Sequence, residues 1–85
     1  MDIESAKVDI RNKLSSYSSA LSEKTINHAI DLYIACKENG YFGRSVVEEV
    51  TGLKSSGASK LISVLLNSNV IEPVFGKGKG KDRFF

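Results

Sequence analysis

Apolar residues recur along this chain every three or four positions as far as Ser68, and then alternate. Over residues 2 to about 17, Ile3, Ala6, Ile10, Leu14 and Tyr17 return at the spacing of one helix face. Asp2 is placed to cap that helix, because its carboxylate can accept from free N–H groups of the first turn. Ser15-Ser16-Tyr17-Ser18-Ser19 reads as a fraying end and a linker. A second helix starts behind Ser22, a good N-cap residue, with Leu21 before it able to staple onto Ile26. Its inward face is expected to hold Ile26, Ala29, Ile30, Tyr33 and Cys36, widened by Leu32 and Ile34. Asn39-Gly40 ends it, since glycine takes the left-handed conformation that closes a helix.

Tyr41-Phe42-Gly43-Arg44 suits a brief extended segment, a candidate third strand. Ser45 with Glu48 three residues on has the form of a capping box, which predicts the start of a third helix there. That helix turns Val46, Val47 and Val50 inward and closes at Gly52. A fourth begins around Ser55 or Ser56, with Ala58, Leu61, Ile62 and Leu65 as its core stripe. Its other face carries Ser56, Ser59, Lys60, Ser63 and Asn67, and Asn69 ends it. Val70–Phe75 and Arg83–Phe85 then flank the loop Gly76-Lys77-Gly78-Lys79-Gly80-Lys81-Asp82, the pattern of a hairpin. Pro73 lacks an N–H for the ladder and so belongs at an edge or a strand end. The expected core is Ile26, Ile30, Tyr33, Val47, Val50, Leu53, Leu61, Ile62, Leu65, Ile71 and Val74.

The predicted class is mainly α with a small β-hairpin, ordered as a winged helix-turn-helix: three core helices, an extra N-terminal helix and a β wing. Residues 1–20 form the N-terminal helix and its serine-rich linker, and residues 21–85 the winged-helix domain. Apolar residues make up 41 % and charged residues 26 %, a globular balance and not a disordered one. No apolar run approaches the roughly 18 residues of a membrane span, and no signal-peptide pattern stands before the first helix. The single cysteine cannot form an internal disulfide, so a cytoplasmic setting is expected.

Charge changes the picture more than composition does. The net value is only +2, but residues 1–42 hold five Lys/Arg against six Asp/Glu, and residues 43–85 seven against four. The basic excess therefore sits on the half with the short-turn helix pair and the hairpin, which points to a polyanion. Lys77, Lys79 and Lys81, spaced by glycines, form a comb of ammonium groups able to meet phosphates, with Arg83 beside them. Lys54, Ser55, Ser56, Ser59, Lys60 and Ser63 are the candidate groove-facing residues of the fourth helix, near an N-terminus whose dipole favours a phosphate.

Other chemistry is thin. The glycine-lysine run is not a nucleotide loop, because three residues, not four, separate Gly76 from Gly80, and Asp82 follows Lys81. His28 is the only histidine and lies off its helix's apolar stripe, as a plain surface side chain would. Cys36 lies on the stripe, as a structural thiol would. No metal ligands stand at a recognised spacing. The chain is expected to need no cofactor or metal and to be no enzyme.

From Phe42 onward, Phe42-Gly43-Arg44-Ser45-Val46-Val47-Glu48-Glu49-Val50-Thr51-Gly52-Leu53, Ala58-Ser59-Lys60-Leu61, Val70-Ile71-Glu72-Pro73-Val74 and the Gly-Lys-Gly-Lys tip resemble bacterial C-terminal winged-helix modules. Such modules end Fic-family proteins and the RecG-related regulators with a divergent ATPase-like N-terminal domain. The resemblance covers roughly residues 22–85. It implies a DNA-binding or regulatory tail of a bacterial transcriptional regulator or larger multidomain protein, with further domains in the parent. It implies no catalytic residue, since the Fic motif (His-Pro-Phe, an acidic residue, Gly-Asn) and helicase or ATPase motifs are missing from these residues. The expected partner is double-stranded DNA, with residues 55–68 as the recognition helix in the major groove and the wing on phosphates. The alternative is a protein docking or dimerisation module without direct DNA contact. The stripe of Ile3, Ile10, Leu14 and Tyr17 on the N-terminal helix either packs on the winged-helix body as an extra helix or pairs two copies as a homodimer, which would set two DNA-reading helices across a two-fold axis.

Overall fold

The computed structural model describes residues 3–18, 21–38, 40–76 and 81–84. Within them, helices α1 (Ile3–Tyr17), α2 (Glu23–Cys36), α3 (Arg44–Thr51) and α4 (Ser55–Asn67) precede the antiparallel strands β1 (Ile71–Pro73) and β2 (Asp82–Phe84). The chain is thus mainly helical with a small β-hairpin. No described helix is long and apolar enough to cross a membrane. Asp2 and Asn39, expected at helix ends, lie outside the described residues.

Helix α1 buries Ala6, Ile10 and Leu14. Ile10 and Leu14 join the same apolar cluster as the later helices, so the packing of α1 onto α2 is part of the main core. The Arg11 guanidinium also reaches Glu23 at 2.7 Å, but a pair this exposed contributes only up to about 1 kcal/mol. Of the two readings of this stripe, packing on the chain's own body is the one its burial matches, and the candidate dimer face loses its centre. Ile10 and Leu14 are covered by the chain itself, Ile3 is half-buried, and of the four residues only Tyr17 is left exposed.

Helix α2 starts as its sequence predicts, with the Thr25 N–H donating to the Ser22 hydroxyl oxygen at 3.2 Å. It buries Ile26, Ala29, Ile30, Leu32 and Cys36, with Tyr33 half-buried. Ile34 is 43 % exposed, against expectation. At about 100° per residue it lies roughly 120° from the centre of the buried arc, on the solvent flank. Gly40 closes the helix at φ 80°, its N–H donating to the Cys36 carbonyl at 3.0 Å.

The segment after it departs from expectation twice. Phe42 and Asp82 exchange two backbone hydrogen bonds of 2.8 Å, an isolated bridge and not a third strand. Arg44 already belongs to α3, with Gly43 as an extended N-cap that offers no side-chain cap. The Gly43 carbonyl accepts from the Val46 and Val47 N–H groups at 3.1 and 3.3 Å. Ser45 consequently sits inside the first turn and the capping box does not form. Glu48 faces Arg44 at 3.7 Å instead.

Of α3's valines, Val47 is fully buried and Val46 and Val50 are half-buried. Gly52 takes φ 76° and donates to the Glu48 carbonyl at 2.9 Å. The Thr51 hydroxyl donates to the Val47 carbonyl at 2.6 Å and accepts from the Leu53 N–H at 3.2 Å, which fastens the turn Gly52–Lys54. Helix α4 buries Ala58, Leu61 and Leu65, and Ile62 is half-buried. Behind it the Ser68 hydroxyl donates to the Val64 carbonyl at 2.8 Å, and Asn69 at φ 63° turns the chain into the hairpin.

In the hairpin Ile71 opposes Phe84, Glu72 opposes Arg83 and Pro73 opposes Asp82. Asp82 directs its N–H and carbonyl to Phe42, away from β1. Pro73 thus stands in a pair that exchanges no bonds with its opposite residue, and its missing N–H leaves the ladder intact. Val74 is half-buried and outside the core, because strand alternation sets it on the face of Glu72, opposite Ile71. Phe42 and Val70 enter the core in addition to the residues expected there. Phe84 binds the hairpin to the body, its ring 5.3 Å from that of Tyr33, edge to face, and 5.6 Å from that of Phe42.

Candidate nucleic-acid interface

The outer face of α4 is formed by the residues its sequence offered. Ser55, Ser56, Ser59, Lys60, Ser63 and Asn67 are all exposed, and at 100° per residue they share an arc of about 140° opposite Ala58, Leu61 and Leu65. Lys54, also exposed, is the N-cap residue of α4. Small side chains on this arc permit close approach of a large partner. Neither Lys54 nor Lys60 makes an ion pair among the described residues.

The hairpin reaches this face at its root. A concavity of about 370 Å³ is lined by Gly43, Arg44 and Ser45 at the start of α3, Ser59 and Ile62 of α4, and Lys81 and Asp82 of the hairpin. Three segments distant in sequence thus bring two cations and two hydroxyls to one place. Arg44 and Ser45 are additions that the sequence did not reveal, since Ser45 read as a cap and Arg44 as the end of an extended segment. Lys77 and Lys79 lie outside the described residues. Arg83 is described, and its guanidinium donates twice to one carboxylate oxygen of Glu72, at 2.9 and 3.1 Å. Its charge is already paired across the strands.

Asp82 is the exception in this basic setting. It is 6 % exposed, and burial pushes its carboxyl above the ordinary aspartate value. The folded state therefore binds the proton more tightly than the unfolded one. The stability linked to that proton is fully present below the unfolded value and is lost as pH rises through the raised folded one. Asp82→Asn removes the ionisation and keeps the shape. The variant is expected to melt above the parent at neutral pH, by a margin that shrinks toward acid, in thermal unfolding followed by circular dichroism. A variant that melts lower at neutral pH would mean that the carboxylate is favourably held.

Two further residues carry chemistry in principle. Cys36 is buried, and burial pushes its thiol up, away from the reactive thiolate. His28, expected as a plain surface side chain, is half-buried in a groove between α2 and α4. No family model matches the chain, and no curated protein or solved structure is significantly similar to it.

Proposed function

We propose that this chain is a winged-helix module that binds double-stranded DNA, within a bacterial cytoplasmic regulator or a larger multidomain protein. Helix α4 would enter the major groove, with Lys54, Lys60 and the serines of its outer arc toward bases and phosphates. Lys77, Lys79 and Lys81 would grip the backbone beside it. The observation that carries this reading is the concavity shared by Lys81, Arg44, Ser45 and Ser59, which joins the hairpin root to the outer face of α4. A single surface can then meet a groove and its flanking phosphates together. On this reading the chain performs no catalytic step, needs no cofactor, and contributes binding to whatever its parent protein does. Base discrimination is expected to be weak, because the outer arc offers no arginine or glutamine for bidentate contacts near its start.

The test is fluorescence anisotropy with a labelled mixed-sequence duplex at about 50 mM and 200 mM salt. If about four phosphates are neutralised, binding is expected to weaken on the order of 100-fold across that interval. Absence of binding at the lower salt would overturn the proposal.

A further inference from the structure

A second concavity, also of about 370 Å³, lies where the start of α2 meets the turn Gly52–Lys54 and α4. It is distinct from the basic one at the hairpin root. Its apolar part comes from Leu21, before α2, together with Leu53, Leu61 and Val64 from the turn and α4 more than 30 residues later. Gly57 leaves it open: a Cβ there would stand 3.4 Å from the Leu53 Cβ, in space that is now groove. Its polar side chains are one-sided. Lys24, His28 and Lys60 line it with Thr25, and no carboxylate stands among its described lining residues.

Neighbouring contacts preserve that imbalance. Glu23, beside Lys24, is taken by Arg11 at 2.7 Å. Thr25 is engaged with the Ser22 hydroxyl at 3.1 Å. Lys24 and Lys60 make no ion pair among the described residues. An apolar floor under unpaired cations is the complement of an anion with an apolar body. The size fits one small molecule, at the low end of the ~300–1,000 Å³ typical of ligand pockets. A helical peptide would need a row of such sockets along about 10 Å of its length.

We propose that this groove binds a small organic carboxylic acid, with its apolar body on Leu21, Leu53, Leu61 and Val64 and its carboxylate between Lys24 and Lys60. Lys60 also belongs to the outer arc of α4. A bound carboxylate would therefore draw that ammonium from a phosphate and weaken DNA binding, a consequence that rests on the DNA-binding reading, whereas the site itself does not.

The probe is octanoate, with 1-octanol and octylammonium as neutral and cationic counterparts of similar length. Methyl resonances of Leu21, Leu53, Leu61 and Val64 are followed by NMR in the 85-residue chain without DNA. Octanoate is expected to shift them saturably and to bind at least about tenfold more tightly than 1-octanol, with octylammonium weaker still. Lys24→Ala combined with Lys60→Ala should erase the preference for octanoate over 1-octanol. Gly57→Leu should fill the groove and abolish both shifts, with circular dichroism verifying that the variant is folded. Equal affinity for all three probes, or octanoate shifts that never saturate, would overturn the proposal. Because no DNA is present, this outcome is separate from the fate of the DNA-binding reading. A saturating octanoate site with no duplex binding would uphold the groove alone.

Discussion

Replacing Phe42 with alanine is expected to remove about 3–5 kcal/mol of stability, a large part of what a domain this small possesses. The side chain is 1 % exposed and among the largest that are fully buried. Its ring lies 5.6 Å from that of Phe84, which in turn meets Tyr33 of α2 edge to face. Truncation would open a cavity at the junction of α2, the start of α3 and the hairpin. The isolated bridge to Asp82 would not compensate, since it is one residue pair between segments 40 residues apart. Phe42→Leu, which keeps most of the volume, should cost clearly less. Urea unfolding of both variants provides the check. A loss below about 1 kcal/mol for Phe42→Ala would mean that the hairpin contributes little to the fold's integrity.

That Phe42 matters was not legible in the sequence, and the reason is general. Helices α1, α2 and α4 each repeat their apolar positions over several turns, so their existence and inward faces follow from spacing alone. The segment 41–43 is too short to repeat anything. Its role is set by Asp82 and Phe84, which fold back onto it from the far end of the chain. The same long-range contact moved the start of α3. Ser45 and Glu48 have the local form of a capping box, but the bridge at Phe42 fixes Gly43, and the N-cap falls there, two residues sooner. Ile34 shows the opposite failure, an apolar residue assigned to the core because it was apolar, on a flank that faces water.

The candidate surfaces divide in the same way. The outer arc of α4 was readable because a single helix carries it. The contributions of Arg44 and Ser45 were not, since they meet Ser59 and Lys81 only after folding. The groove containing His28 also comes from separate segments. Its one local signal was Gly57, a helix-weakening residue inside an otherwise uninterrupted α4.

The second large effect concerns the hairpin's lysines. On the proposed reading, Lys77→Ala, Lys79→Ala and Lys81→Ala together should reduce the salt slope of duplex binding by about three counterions. Between about 50 mM and 200 mM salt, the parent should then lose roughly 40-fold more affinity than the triple variant. The loss should be alike on unrelated duplexes, because phosphates carry no sequence information directly. Arg83→Ala serves as the contrast. It follows Lys81 by only two residues, yet its guanidinium is held by Glu72 at 2.9 Å. Releasing that pair leaves Glu72 unopposed while removing a cation that was already neutralised. Its effect on the slope should stay below about one counterion. Fluorescence anisotropy across a salt series separates the two results. An Arg83→Ala effect as large as that of the triple variant would mean that the Glu72 pair opens on binding and that the grip lies on the strand, not on the glycine-lysine tip. An unchanged slope in the triple variant would remove the tip from the interface and leave Lys54, Lys60 and Arg44 as the cations that meet DNA.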